Sequence, residues 1–218
     1  MIREGDRIAV GVSGGKDSLT LLIALSSLQE FYPVKFELEA VTLTMGIGEF
    51  DLAPVKKLCS ELGVNYTIEE TLIGKIVFEE RQEENPCSLC ANLRRGALHN
   101  TAKKLNCNKI ALAHHRDDVI ETLLLSLFYE GRIHTFSPVT YLDRKELYMI
   151  RPLIYTEEKE IKSFIKSSGI VPVPSPCTVN GKTKRQYIKD LIWSMSKDTK
   201  DIKSNIFGAV KRSKIDQW

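Results

Sequence analysis

The sequence has no long apolar run, no export signal and no large net charge. None of its segments contains the stretch of about 18 apolar residues that a membrane-spanning helix needs. The N-terminal residues lead directly into an apolar, β-rich segment and leave no room for a secretory signal peptide. The net charge is +3 over 218 residues, which is too small to indicate nucleic-acid binding by itself. We therefore expect a cytoplasmic globular protein that does not associate with membranes.

Strands and helices alternate through the first two thirds of the chain. Predicted helices cover 51–62, with Asp51 as N-cap, and then 88–105 and 119–128. The predicted strands, which are short and apolar or β-rich, are 7–12, 36–43, 65–70 and 109–113. This alternation predicts an α/β fold, in which a parallel sheet carries helices on both faces. Ligands of such sheets bind beyond the carboxyl ends of the strands, where the loops 13–18 and 114–118 would meet.

The C-terminal third reads as helices at about 156–168, 184–196 and 199–211. We therefore divide the chain into an α/β domain at 1–155 and a helical extension at 156–218. From Lys182 onward ten basic residues face four acidic ones, so this segment carries about +6. Such a segment could contact a phosphate backbone, or it could be a solvated helical face.

A glycine-rich loop follows the first strand. Its sequence, Ser-Gly-Gly-Lys-Asp-Ser at 13–18, fits neither the Walker A spacing nor G-x-G-x-x-G. Gly14 and Gly15 would let backbone N–H groups approach an anion, and the helix that follows offers its positive end. The Ser13 and Ser18 hydroxyls could donate to phosphate oxygens, and Lys16 adds a positive charge. The loop is therefore predicted to bind phosphate.

Acidic and histidine side chains surround the predicted phosphate site. Asp117 and Asp118 follow a buried strand, where they could hold Mg²⁺ or orient a nucleophile, or simply begin a helix. Asp17 could be an N-terminal helix residue or a Mg²⁺ contact. His114 and His115 are better candidates for nucleotide contact than for metal binding.

Five cysteines in a chain without an export signal make a disulfide framework improbable. Cys87 and Cys90 form a C-x-x-C pair, and Cys177 lies in a comparable loop context, whereas Cys59 and Cys107 fit the apolar core. A redox pair or a zinc site would be possible, but zinc usually takes four protein ligands. Three thiolates fit an iron–sulfur cluster with one open iron.

The loop at 13–18 resembles the signature of the PP-loop, or N-type ATP pyrophosphatase, superfamily. Members of that superfamily cleave ATP between the α and β phosphates and adenylate a substrate. The full set of motifs resembles the tRNA 2-thiocytidine synthetase family. These motifs are 13–18, Cys87 to Cys90 with Leu93-Arg94-Arg95-Gly96, 113–118, Arg151-Pro152-Leu153 and Pro176-Cys177.

This resemblance implies a PP-loop α/β fold and ATP-dependent thiolation of cytidine 32 of tRNA. It implies a homodimer that uses Mg²⁺ and receives sulfur from a donor such as a cysteine desulfurase or free sulfide. A 4Fe-4S cluster would be held by Cys87, Cys90 and Cys177, and Asp17 would contact Mg²⁺. ATP would be bound by the loop 13–18, His114 and Arg151.

The resemblance also suggests how the reaction proceeds. The C2 oxygen of the base would attack the α phosphate of ATP, giving an adenylated base and pyrophosphate. Asp117 or Asp118 would assist proton transfer. The positive side chains that could stabilise the developing charge are Lys16, Arg94, Arg95 and Arg151.

Other interpretations of the same residues stay open. The arginines at 94 and 95 could belong to a solvated helix face, and Arg151 could form a structural ion pair. The chain could be a lysidine-type ligase with structural cysteines, a 2-thiouridine synthetase, a non-catalytic nucleotide-binding adaptor, or a zinc-stabilised RNA-binding module.

Overall fold

A six-stranded sheet forms the centre of the chain. The computed structural model describes residues 1–48, 50–81, 86–174 and 184–218. In these residues the strand order is β3-β2-β1-β4-β6-β5, and every neighbouring pair is parallel except β5 and β6. The strands are β1 (Asp6–Gly11), β2 (Phe36–Leu43), β3 (Asn65–Glu69), β4 (Lys109–Ala111), β5 (Val139–Leu142) and β6 (Leu147–Ile150).

Helices connect the strands and follow the last one. They are α1 (Lys16–Phe31), α2 (Ala53–Glu61), α3 (Ile73–Lys75), α4 (Pro86–Lys104), α5 (Arg116–Leu125), α6 (Glu158–Ser168), α7 (Lys184–Asp198) and α8 (Ile202–Ser213). Helices α3 and α5 each continue into one π-helical turn, at Ile76–Glu80 and Ser126–Glu130. None of the helices in the described part of the chain has both the length and the apolar composition to cross a bilayer.

Alternation along the central strand explains why helices cover both faces of the sheet. In β1, Ile8 and Val10 pack into the core formed with α1, α2 and α6, whereas Ala9 packs into the core formed with α4. Successive strand residues point to opposite faces, so this run of completely buried residues requires apolar partners on both sides. The predicted α/β fold with a covered sheet is confirmed.

A hairpin at the sheet edge was not predicted. Strands β5 and β6 pair antiparallel through a turn at Asp143–Lys145. The sheet is therefore not wholly parallel, because its last connection is a short hairpin rather than a helical crossover. The predicted N-cap of α2 is also wrong by one residue. Leu52 is the N-cap, and Asp51 instead accepts a hydrogen bond from the backbone N–H of Ala53 at 2.9 Å.

The C-terminal helices share a core with α5. Residues Val119, Ile120 and Leu123 of α5 pack against α7 and α8, which contribute Ile188, Ile192, Phe207 and Val210. Helix α6 instead joins the sheet core through Ile161 and Ile165. The three C-terminal helices thus pack on different parts of the α/β core. The division at residue 155 stays a prediction.

Candidate functional site

The predicted binding loops meet at the switch point of the sheet. Strand β1 is hydrogen-bonded to β2 on one side and to β4 on the other. The chain first continues through β2 and β3 on one side of β1 and then returns to form β4 on the other side. The loop at 12–15 follows β1 and leads into α1, and the loop at 112–115 follows β4 and leads into α5. Both therefore leave the carboxyl edge at the point where open α/β sheets bind ligands.

Glycine at position 14 is required by the path of the loop. Gly14 has φ +77°, and its carbonyl accepts a hydrogen bond from the N–H of Val173 at 2.9 Å. A Cβ atom at position 14 would lie 3.1 Å from the Cβ of Val173. Only glycine adopts this conformation without strain while another chain segment lies so close.

The two serines of the loop hold each other in place. The Ser18 hydroxyl donates to the carbonyl of Gly15 at 2.9 Å and accepts the N–H of Ser13 at 3.1 Å, with the two hydroxyl oxygens 3.2 Å apart. Gly15 is the N-cap of α1 and provides no side-chain cap. The first N–H groups of this 16-residue helix therefore remain available for an anion.

Lys16 lies between two carboxylates. Its ammonium is 2.8 Å from both oxygens of Asp17 and 3.1 Å from Glu158 Oε1. Burial lowers the pKa of Lys16, but Asp17 and Glu158 raise it by more, so the side chain is positively charged. Bound phosphates would therefore compete with these carboxylates for the ammonium. The sequence did not reveal Glu158, which begins α6 far along the chain from the loop.

His115 and Asp118 cap α5. The backbone N–H of His115 donates to Asp118 Oδ2 at 2.9 Å, and the N–H of Asp118 donates to His115 Nδ1 at 3.4 Å. The other ring nitrogen of His115 lies 3.7 Å from Asp17 Oδ1. His115 is buried, and it takes part in the capping box of α5 while its other ring nitrogen faces Asp17 at the start of α1. It therefore connects the first turns of the two helices.

Asp117 connects three helices. Its buried carboxylate accepts the backbone N–H of Glu158 at 2.8 Å and the ammonium of Lys203 at 2.6 Å. Burial raises the pKa of Asp117, but Lys203, the N–H of Glu158 and His115 together lower it by a larger amount. The net shift of the pKa is therefore downward. Its contacts are those of a carboxylate that fastens α6 and α8 to α5. The prediction that it takes part in proton transfer stays a prediction.

Arg151 and His114 share an aromatic neighbour. The Arg151 guanidinium lies 4.9 Å from the Phe136 ring centroid, and the His114 ring centroid lies 4.6 Å from the same ring. Arg151 is buried and donates to the carbonyl of Ser137 and, at 3.0 Å, to Thr140 Oγ1. These contacts anchor the hairpin edge of the sheet. Within the described residues, Arg151 Nε and His114 Nδ1 are buried and have no hydrogen-bond partner.

Both side chains lie in an environment that disfavours positive charge. Burial lowers the pKa of His114 to about 4, with Asp118 opposing this shift and Arg151 and Arg185 adding to it. Burial, together with the charge of Arg95, lowers the pKa of Arg151 to about 10. His114 is therefore a neutral imidazole at physiological pH.

The C-x-x-C pair occupies the first turn and a half of α4. Because α4 crosses from β3 back to β4, it begins at the carboxyl edge of the sheet, the edge that carries the phosphate loop. Cys87 is exposed and Cys90 half-buried, and neither is in a disulfide with another described cysteine. Arg94 and Arg95 are exposed further along the same helix. Cys177 lies outside the described residues.

The other two cysteines are core residues, as predicted. Cys59 and Cys107 are buried, and burial raises the pKa of each thiol to about 11. In the part of the chain that the structure describes, no three histidine, cysteine or acidic side chains are grouped to hold a metal ion. Cys177, the predicted third cluster ligand, is not among these residues.

Comparisons with known proteins identify the family. The PP-loop domain family matches residues 2–194. A curated relative from Pelobacter propionicus, named tRNA-cytidine(32) 2-sulfurtransferase, is 41% identical over 213 residues, covering 96% of this chain and 79% of the relative. The chain belongs to this family of PP-loop proteins. A relative of the same name from Geobacter sulfurreducens is also 41% identical, with 96% and 83% covered.

A solved structure has the same fold. It is the U34-tRNA thiolase NcsA from Methanococcus maripaludis with its [4Fe-4S] cluster, which aligns with a TM-score of 0.81 at 24% identity. The alignment covers 96% of this chain and 73% of that one. The PP-loop fold and the family predicted from the motifs are thus confirmed.

Three residues of the basic C-terminal segment pair with carboxylates beside the PP-loop site while staying partly exposed to solvent. Arg185 lies 2.9 Å from Glu121, and Lys189 lies 3.4 Å from Glu158. The third is Lys203, at Asp117. Arg185 and Lys189 are three residues before the buried Ile188 and Ile192, which places all four on the same side of α7. This helical spacing could have shown from the sequence that the two basic residues face the core.

Proposed function

We propose that this chain is an ATP-dependent tRNA sulfurtransferase that replaces the C2 oxygen of cytidine 32 with sulfur. One observation carries the proposal in a chain of this family. The phosphate-binding loop and the Cys87–Cys90 pair lie at the same edge of one sheet, where an activated base and a source of sulfur would meet. The helical part at 156–218 serves this site as an extension that binds the tRNA.

The loop at 13–18 would hold the phosphates of ATP. The C2 oxygen of cytidine attacks the α phosphorus, a bond to this oxygen forms, and pyrophosphate leaves with the electrons of the broken α–β phosphate bond. The N–H groups at the start of α1 and the Lys16 ammonium stabilise the negative charge that develops on the phosphoryl oxygens. Asp17, one third exposed at the loop, would supply a carboxylate for Mg²⁺ on the phosphates.

Proton transfer is assigned to Asp118 rather than Asp117. The Asp118 side chain is 22% exposed, whereas that of Asp117 is 6% exposed and already accepts two hydrogen bonds. His114 and Arg151 line the same edge, where a neutral imidazole can accept a hydrogen bond from the nucleotide.

The cysteine pair fits two ligands of a 4Fe-4S cluster. Its two thiols are one helical turn apart on one side of α4, a spacing at which both can bind one cluster. Cys177 would be the third ligand. When bound, such a cluster would deliver sulfur from an external donor to C2, and the activated oxygen would leave as part of AMP. Arg94 and Arg95 follow on the same helix, where their positive charge suits an approaching phosphate.

The proposal also includes a sulfur donor and a second copy of the chain. A cysteine desulfurase or free sulfide would provide the sulfur. The enzyme would act as a homodimer.

The experiment that separates this proposal from its alternatives begins with anaerobic purification and analysis of iron and sulfide. About four irons per chain, lost in Cys87→Ala, Cys90→Ala and Cys177→Ala and retained in Cys107→Ala, would support the cluster assignment. Release of pyrophosphate from ATP only when tRNA is added would support adenylation. An iron-free wild type that still consumes ATP with tRNA would instead identify a ligase with structural cysteines.

A further inference from the structure

An exposed tryptophan and a lysine form a pair on the outer side of α7. Trp193 is 64% exposed, although large aromatic side chains are usually buried. The Lys197 ammonium lies 3.8 Å from the centroid of its ring, a cation–π contact. Among the residues that the structure describes, Lys197 forms no salt bridge, so its charge is not neutralised by a carboxylate.

Trp193 lines a cavity that extends to residues beside the phosphate loop. The cavity has a volume of about 320 Å³, and Trp193 and Ser196 form part of its wall. Asp117 and Glu158 also line it, and Glu158 contacts Lys16 of the loop at 3.1 Å. A ligand that binds at Trp193 is therefore next to the residues that hold the ATP site.

The basic residues from Lys184 onward fall into two sets. The inner set consists of Arg185, Lys189 and Lys203, each of which is paired with a carboxylate. The outer set has no acidic partner in the described ranges. It consists of Lys184, Lys197, Lys200, Lys211, Arg212 and Lys214, all exposed. We call the outer set and its neighbouring aromatic rings the α7–α8 outer surface.

Two more lysines of the outer surface lie over exposed tyrosine rings. The Lys184 ammonium is 4.6 Å from the ring centroid of Tyr129, and that of Lys211 is 6.0 Å from the ring centroid of Tyr155. Both rings are solvent-exposed. The combination of an unpaired cation and an exposed aromatic ring thus occurs three times among the C-terminal basic residues.

We propose that the α7–α8 outer surface binds a single-stranded loop of the tRNA, with a base stacked on Trp193 and the backbone phosphates beside Lys197. This inference rests on the proposed function and adds the docking site. An exposed aromatic ring stacks on any base, and neighbouring lysines follow the backbone by charge. The outer surface is positive while the rest of the chain is slightly negative, so polyanions are directed to it. Stacking at Trp193 places the neighbouring nucleotides at the mouth of the cavity.

The test compares tRNA binding by the full-length chain and by matched variants. Trp193→Ala should weaken binding at least about fivefold, and Trp193→Phe should restore most of it, because stacking contributes about 1–3 kcal/mol per base. Lys197→Ala should make the negative slope of log K against log salt concentration shallower by about 0.7, because one phosphate contact is lost. The control is Phe31→Ala with Lys35→Ala, which removes an exposed aromatic ring and a lysine at the opposite, amino edge of the sheet. This control should leave binding unchanged.

ATP binding, measured separately, should be unchanged in the variants at 193 and 197. If wild type thiolates tRNA while Trp193→Ala binds tRNA as tightly as wild type, the docking surface is refuted and the proposed function stands. A loss as large in the Phe31 and Lys35 control also refutes it, because binding would then depend on positive charge and aromatic rings anywhere. A wild type that binds no tRNA under any salt condition refutes the proposed function and the surface together.

Discussion

Replacing Glu158 with glutamine tests how the C-terminal helices support the phosphate loop. Three lysines surround this carboxylate, Lys16 at 3.1 Å, Lys162 at 3.3 Å and Lys189 at 3.4 Å. Burial raises the pKa of Glu158, but the lysines lower it by more, to about 2 from an ordinary value of 4.5. Its side chain is 17% exposed, so solvent screens these interactions only weakly.

The pKa difference sets the size of the expected effect. At about 1.4 kcal/mol for each tenfold change, it corresponds to about 3 kcal/mol of stabilisation by the charged form. Glu158→Gln should therefore lower the free energy of unfolding by about 2–3 kcal/mol near pH 7. Because the folded-state pKa is depressed, this stabilisation is complete above pH 4.5 and is lost as the pH falls towards 2. The difference between wild type and variant should shrink to about half near pH 3.

Urea unfolding of both proteins across this pH range is the assay. The matched control is Glu61→Gln, which removes an exposed carboxylate 3.7 Å from Lys57 and should cost less than about 0.5 kcal/mol. ATP affinity adds a second readout, because glutamine releases Lys16 from one of its two carboxylates and should leave ATP binding unchanged or tighter. A difference in stability that does not change with pH, or an ATP affinity reduced tenfold, would refute this account of Glu158.

Three further predictions follow from the same geometry. Lys16→Met should reduce ATP-dependent pyrophosphate release by at least about 100-fold with an unchanged circular dichroism spectrum, because the charge that stabilises the phosphoryl oxygens is gone; near-normal release would contradict its role. Asp117→Asn should lower the free energy of unfolding by about 1–3 kcal/mol in urea, since the Lys203 ammonium loses its partner; an equally stable variant would show that this contact is unimportant. Iodoacetamide should label Cys87 in the cluster-free protein but label Cys59 and Cys107 only after unfolding, because those thiols are buried with a pKa of about 11. Mass spectrometry of tryptic peptides would locate the label. Rapid labelling of Cys59 would contradict its place in the core.

The local parts of the fold could be predicted from the sequence. A buried apolar run such as Ile8 to Val10 predicts a strand, because successive side chains of a strand point to opposite faces and a sheet covered on both faces buries them all. The hairpin at 139–150 was missed because each of its strands has only four residues, too few for a clear alternating pattern. Its turn includes Glu146 at φ +50°, a conformation that the residue type does not signal.

The candidate site was predictable only where its residues are neighbours in the chain. The loop at 13–18 and the pair at 87 and 90 are contiguous motifs, so their residue types and spacing indicate their chemistry. Glu158 was missed because it is brought to Lys16 by the packing of α6, which no local pattern records. Lys203 and Asp117 are likewise separated along the sequence by 86 residues. Their pairing follows from tertiary contacts that sequence patterns do not reveal.

The central claim is that this chain thiolates tRNA at cytidine. Its most direct test is anaerobic incubation of the purified protein with ATP, Mg²⁺, a sulfide source and unmodified tRNA, followed by mass spectrometry of the digested nucleosides. We expect 2-thiocytidine that depends on ATP and on Cys87 and Cys90, with one pyrophosphate released for each thiolated base. Iron-replete protein that consumes no ATP and forms no thiolated nucleoside under these conditions would contradict the claim.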